Sequence, residues 1–253
     1  MLQLGGAAAT SSPQRPRFNP LRSRFRKCNM SAAVRLPLRI ALVVTLVVLT
    51  ASSAFAQSDP PSDSAQQNGH VAADTVKFLA GGALGLALHE SGHLVFDAIF
   101  DANPRIEPVH FGPFPFFAIE HRSDLSPRRE FTVSSAGFWV QEATNEWLLT
   151  RRPNLRDEHA WLTKGLFTFN VLNSVGYAIV AFAEAGPVQR DTRGMAASLN
   201  YDERAMGAVI LAPALLDAYR YFRPGTGWAI WASRITKAGS VLLVLKQTSS
   251  SRR

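Results

Sequence analysis

Two histidines and a glutamate form the pattern with the clearest chemistry in this chain. His89, Glu90 and His93 occur as His-Glu-Ser-Gly-His (HExxH) within an apolar run. Residues four apart lie one turn above each other on a helix, so both imidazoles can bind one metal ion. Zinc accepts neutral imidazole and carboxylate ligands and makes a water molecule acidic enough for Glu90 to deprotonate. The pattern therefore predicts hydrolysis of a peptide bond with Glu90 as the general base. The alternative is a pair of core histidines in a helix interface.

A catalytic zinc of this kind needs a third protein ligand, and two carboxylates are candidates. Asp191 lies between two arginines in the segment after the third apolar stretch. Glu142 lies on another predicted helix, with Glu146 one turn further along. Each has an ordinary structural explanation as well: an ion pair with Arg190 or Arg193 for Asp191, and a buried polar contact for Glu142. The residues alone leave the choice of ligand open.

Five apolar stretches must position these groups, and they lie at 77–100, 131–150, 161–185, 205–222 and 227–246. Several are about long enough to cross a bilayer, yet each carries polar groups that lipid would not accept. We therefore expect the polar groups to face inward. One predicted helical face is entirely polar: Asn170, Asn173, Ser174 and Tyr177. The pattern predicts a mainly α, polytopic membrane helical bundle, and a soluble domain of amphipathic helices is the alternative.

Two smaller features refine this fold. Gly81 and Gly85 continue the row of His89 and His93, which gives the helix a small-residue face for a close neighbour. Residues 103–121 contain several prolines among aromatic and β-branched residues, so a long helix cannot form there. We predict a short β-hairpin-like insertion after the HExxH helix.

The charge distribution excludes one class of partner. The chain has 253 residues and a net charge of +8, and its first 40 residues contain eight cations and no acid. The basic excess is therefore N-terminal, and the folded part has no net basic charge with which to bind nucleic acid. The single cysteine, Cys28, lies in the same leader. Any metal in the body of the protein must bind His, Asp or Glu.

The N-terminal region predicts export to a membrane. Residues 1–29 read as a basic disordered extension, either a mis-assigned start before Met30 or a transit peptide. Residues 30–56 have the charged, apolar and small-residue parts of a signal peptide ending at Ala56, with an uncleaved anchor as the alternative. Residues 57–74 predict a disordered linker, 75–246 the helical metalloprotease-like domain, and 247–253 a basic tail.

The chain resembles, in divergent form, the site-2 protease family of intramembrane zinc metalloproteases. The resemblance rests on the HExxH motif in an apolar helix, on the residues Phe-Gly-Pro-Phe at 111–114, on Ser-Ala-Gly at 135–137, and on an Asn-containing helix that leads to Pro187 and Asp191. It covers roughly residues 77–195. It implies His89, His93 and Asp191 as zinc ligands, Glu90 as the general base, and a transmembrane segment as the substrate.

The expected function is thus a membrane-embedded zinc-dependent endopeptidase whose partners are a protein or peptide substrate and membrane lipid. We expect it in a bacterial inner membrane with an extracytoplasmic N-terminus. Two alternatives stay open. One is a helical gluzincin-type metallopeptidase with Glu142 as the third ligand, and the other is a non-catalytic membrane or envelope protein that binds metal.

Overall fold

The computed structural model describes residues 63–111 and 114–250, and this part of the chain is mainly helical. It contains six α-helices, one short 3₁₀ helix at Leu155–Asp157 and a two-stranded antiparallel hairpin. The helices are α1 (Asp63–Phe100), α2 (Pro127–Arg151), α3 (Trp161–Ala183), α4 (Asp191–Leu199), α5 (Glu203–Phe222) and α6 (Gly227–Ser250). The strands are β1 (Arg105–Phe111) and β2 (Phe114–Glu120).

The predicted secondary structure agrees with these bounds in its main features. Each of the five apolar stretches lies within or closely matches one long helix, and the proline-containing insertion forms the hairpin, in which Arg105 pairs with Glu120. The short helix α4 was not predicted. Two helices, over Gly69–Phe100 and Trp161–Ala183, are long and apolar enough to cross a membrane by length and composition.

The predicted bounds of the linker and of the C-terminal helix differ from those in the structure. Residues 63–74 were expected to be disordered, but they form the first turns of α1. The physical reason is that several alanines favour helix here and no proline interrupts the chain between 63 and 100. At the other end, α6 continues to Ser250, beyond the predicted end of the bundle at 246. The predicted basic extension, the signal peptide and the first residues of the linker lie outside the described residues.

Helix α1 packs against two neighbours at glycines. The backbone of α3 at Leu162 lies where a Cβ on Gly81 would be, and the carbonyl of Phe78 lies where a Cβ on Gly165 would be. A Cβ on Gly92 would come within 2.7 Å of the Ala136 carbonyl oxygen on α2. Glycine is required at these positions because the helix backbones themselves are in contact. The HExxH helix is thereby held between α2 and α3.

Two apolar clusters fill the remaining space between the helices. One joins α2, α3, α4 and α5 and contains Phe131, Phe138, Ala178, Met195, Ala196, Met206 and Ile210. The other closes the opposite end of α2 and α3 and contains Leu148, Leu149, Leu155, Leu166 and Phe167. These clusters fix the relative positions of the helices that carry the site residues.

Helices α2, α5 and α6 are joined by a buried cluster of charged groups. Arg220 on α5 donates to Glu146 on α2 at 2.5 Å and to Asp217 at 3.3 Å. Lys237 on α6 donates to Asp217 at 2.8 Å and to Glu146 at 3.0 Å. The side chains of Arg220 and Asp217 are 5% and 1% exposed. Ion pairs removed from water in this way hold the helices in one register, since loss of a single partner leaves an uncompensated charge.

Substitution of Arg220 tests this cluster. Arg220→Met should lower the free energy of unfolding by about 3 kcal/mol, the low end for removing one partner of a buried pair, because Lys237 remains to pair with both carboxylates. The matched control is Arg204→Met, which breaks an exposed pair with Glu184 and should cost less than about 1 kcal/mol. Denaturation of the purified protein in detergent micelles measures both. Equal effects of the two substitutions would contradict the role given to the cluster.

Candidate metal centre

Helix α1 supplies two buried imidazoles that point in the same direction. His89 is 1% exposed and His93 is 6% exposed. The Nδ1 atom of His93 lies 2.8 Å from the carbonyl oxygen of Val133 on α2. A carbonyl only accepts hydrogen bonds, so Nδ1 carries the proton and donates it. In the neutral ring the lone pair is therefore on Nε2, which is the atom that faces His89.

The carboxylate of Asp191 completes a group of three. Its Oδ2 atom lies 3.3 Å from Nε2 of His89 and 3.5 Å from Nε2 of His93. The two Nε2 atoms are 3.2 Å apart. Asp191 begins α4, more than a hundred residues after His89, and its side chain is 17% exposed. In the described part of the chain, these three residues form the one group of His, Cys, Asp or Glu with the spacing to hold a metal ion.

The position of Asp191 is fixed by its two chain neighbours. Arg190 donates two hydrogen bonds of 2.6 Å to the carboxylate of Glu203 at the start of α5. Thr192 donates to the same carboxylate at 2.7 Å. The side chains of Arg190 and Glu203 are 8% and 10% exposed, so this bidentate pair is largely removed from water. Arg190 thus bonds Glu203 rather than Asp191, and the Asp191 carboxylate faces the histidines.

The three donor atoms fit a tetrahedral metal ion. Ligand bonds of roughly 2.0–2.1 Å place tetrahedral ligand atoms about 3.3–3.4 Å apart, close to the three separations in this group. Two imidazoles and a carboxylate are a ligand set that zinc accepts. The fit is made possible by Gly137 on α2. A Cβ on Gly137 would lie 2.5 Å from Cε1 of His89 and 2.6 Å from Nε2 of His93.

The electrostatics of the group favour an ionised carboxylate. Burial opposes ionisation of Asp191 and is the largest influence, but when no metal is bound and His93 is protonated, its attraction and the hydrogen bonds that the two histidines donate outweigh burial. The pKa of Asp191 is therefore held well below its usual range. A carboxylate that stays charged at neutral pH is available as a ligand for a cation.

Glu142, the other candidate ligand, lies elsewhere in the fold. It is buried, and Ser240 of α6 donates a hydrogen bond of 2.9 Å to its Oε2. It is therefore part of the polar contacts between α2 and α6, next to the charged cluster around Glu146. The predicted polar face of α3 does turn inward. Asn170 donates to Asn145 at 2.9 Å, and Asn173 donates to Gln141 at 3.4 Å.

An open cleft of about 580 Å³ leads to the metal-binding group. Glu90, His93 and Asp191 lie on its wall. One side of the cleft is formed by the hairpin, through residues such as Val109 and Ile119, and the other side by α3. Glu90 is thus beside the three donor atoms and accessible from the cleft.

A second, more polar cavity of about 560 Å³ reaches His93 and Asp191 from another side. His121 lies there, with Nε2 at 2.8 Å from Glu130 and Nδ1 at 3.7 Å from Asp97. The hydrogen bond with Glu130 raises the pKa of His121, against the effect of burial. Sequence reasoning missed this cluster. The one signal was the position of Asp97, a charged residue one turn beyond His93 in the apolar helix.

Comparisons with known proteins identified no relative of this chain. No protein-family model, curated protein or solved structure matches the chain.

Gly137 allows a test that leaves every ligand in place. The substitution Gly137→Ala adds one methyl group, which must displace the imidazoles of His89 and His93. We expect it to weaken zinc binding by roughly 10- to 100-fold or more, because disturbing the groups that orient metal ligands has effects of this size. The control is Gly239→Ala on α6, where a Cβ would meet nothing within 4 Å. Zinc titration of the metal-free proteins measures both. Unchanged affinity in Gly137→Ala would contradict the arrangement of the two rings.

Proposed function

We propose that this protein is a membrane-embedded, zinc-dependent endopeptidase. The observation that carries the proposal is the convergence of His89, His93 and Asp191, with donor atoms 3.2–3.5 Å apart and Glu90 on the wall of the same cleft. The HExxH spacing and this geometry are independent of each other, since Asp191 is far from the motif in sequence. Together they favour a hydrolytic metal site over a pair of core histidines.

The chemistry divides between the ion and the chain. Zinc, when bound by the two histidines and Asp191, would lower the pKa of a water molecule toward neutrality and polarise a carbonyl group. Glu90 would accept the proton of the attacking water and then donate it to the leaving amine. The contact of His93 with the Val133 carbonyl keeps the ring in the tautomer that can bind metal.

The shape of the cleft supports a peptide as the substrate. It lies between strand β2 and helix α3, with apolar residues on both sides and polar groups near the metal-binding group. A volume of about 580 Å³ is in the range of sites that enclose a few amino-acid residues rather than a whole folded domain. An extended segment, such as an unwound part of a transmembrane helix, would fit this space.

The distribution of polarity supports a location in the bilayer. On α6, Trp231 and Ile235 are 65% and 67% exposed, whereas Ser233 and Lys237 are 0% and 9% exposed. Large apolar side chains are exposed in the same way on the other long helices, including Leu79 and Ile99 on α1 and Phe182 on α3. A helix that buries its polar face and exposes its apolar face suits lipid rather than water.

The identity of the ligands is tested by zinc content. Elemental analysis of detergent-purified protein should find about one zinc per chain in the wild type, and far less in His93→Ala and Asp191→Ala. Glu142→Ala should keep its zinc, because Glu142 is hydrogen-bonded to Ser240 and lies outside the group. Retention of zinc by Asp191→Ala together with its loss from Glu142→Ala would instead support the gluzincin-type alternative.

The role of Glu90 is tested by cleavage. Glu90→Gln keeps the size of the side chain and removes the base, so cleavage of a membrane-bound test substrate should fall by roughly 10²–10⁴-fold with zinc content unchanged. Glu107→Gln, on the hairpin, is the matched control and should cut as the wild type does. Equal cleavage by Glu90→Gln and the wild type would refute the mechanism. Bound zinc without hydrolysis of any substrate would favour the non-catalytic alternative.

A further inference from the structure

Helix α3 has a gap in the face that it presents to the cleft. Gly176 lies on the cleft wall between Leu172 and Ile179, and a Cβ built on it would meet no heavy atom of the described residues within 4 Å. This differs from Gly81 and Gly165, where neighbouring backbone fills the space of a side chain. A glycine inside a helix costs about 0.5–1 kcal/mol relative to alanine. Packing therefore gives no reason for glycine at position 176.

The gap and the metal-binding group line the same cleft. The next residue in the helix, Tyr177, has its ring centroid 6.0 Å from that of His89 and 5.1 Å from that of Phe138. Tyr177 lines the same cleft as Glu90 and Asp191. A substrate that lies along this cleft with its scissile bond at Glu90 would therefore pass the gap, where one of its side chains could enter.

The surroundings of the gap select an apolar group. Leu172, Ile179 and Val180 of α3 line this part of the cleft, and Val109 and Ile119 of the hairpin lie on the opposite wall. Apart from Glu90, the charged groups of the cleft lining have partners, because Arg190 bonds Glu203 and Asp191 faces the two histidines. An acidic substrate side chain at the gap would be left without a counter-charge, and this is unfavourable in an apolar site.

We propose that Gly176 forms the floor of a specificity subsite, which receives a bulky, uncharged apolar side chain of the substrate next to the scissile bond. This subsite rests on the proposed endopeptidase function and defines the class of substrate residue that the enzyme recognises. A glycine here determines the size of the side chain that fits, in the way that pocket depth determines size preference in other hydrolases.

The first test compares substrates that differ at one residue. The substrates are membrane-inserted peptides whose cleavage site is located by mass spectrometry. Each peptide carries Ala, Leu, Phe or Glu at one of the positions that flank this site. At one of these positions, the wild type should cleave the Leu or Phe peptide at least about 10-fold faster than the Ala peptide, and should cleave the Glu peptide slowest. Gly176→Leu should fill the gap and lose the preference for the Leu and Phe peptides over the Ala peptide.

The control is Gly239→Leu, an exposed helical glycine of α6 that does not line the cleft, and whose Cβ would likewise meet no described atom within 4 Å. It should retain the preference of the wild type. A parallel loss of all cleavage in Gly176→Leu with zinc retained, or an unchanged preference, would overturn the subsite.

The second test measures binding without turnover, so that failure of the subsite and failure of the enzyme can be told apart. Cys28 is the single cysteine of the chain. A triple variant with Cys28→Ser, Gly176→Cys and Glu90→Gln therefore has one thiol, which lies in the gap. A Leu or Phe peptide should slow its reaction with a maleimide at least about fivefold, and the Ala and Glu peptides should not. Protection without cleavage by the wild type would refute the endopeptidase and keep the subsite. Cleavage by the wild type without selective protection would refute the subsite alone.

Discussion

The contact of helix backbones along α1 is the constraint on which the candidate site depends. Gly81 and Gly165 bring α1 against α3, and Gly92 brings it against α2 at Ala136. With α2 this close, Gly137 lies directly against the two imidazoles, and the Val133 carbonyl accepts the hydrogen bond from His93. A larger residue at any of these contacts would separate the helices, and the orientation of the histidines would be lost with their packing.

Many polar groups also lie inside the bundle. The hydrogen bond from Asn170 to Asn145 joins α3 to α2, and the charged cluster joins α2 to α5 and α6. Apolar residues are left on the outside of the long helices. In water this arrangement would expose apolar surface and bury charge at the same time, which are both unfavourable. In the proposed bilayer location the exposed apolar surface would have no such penalty, and the buried ion pairs would define which helices associate.

Much of this fold could be predicted because its signals are local. Apolar runs gave the long helices, prolines gave the hairpin, and the four-residue spacing placed His89 and His93 on one face. The remaining features depend on contacts between residues distant in sequence. Glu142 and Glu146 were visible as one helical face, but their partners Ser240 and Arg220 were not. The choice of Asp191 over Glu142 likewise required the fold, since both are carboxylates near predicted helices.

The ion pair between Arg190 and Glu203 fixes the position of Asp191, which directly follows a loop. Asp191 follows a segment with a glycine and a proline, which by itself would not hold a carboxylate within a few tenths of an ångström of a ligand position. Both of its neighbours are tied to one carboxylate at the start of α5, and α4 begins at Asp191 itself. The third donor atom is thus positioned by α5, a helix with no member in the metal-binding group. Its packing on α3 and α6 therefore affects the position of the Asp191 carboxylate, although α5 supplies no donor atom itself.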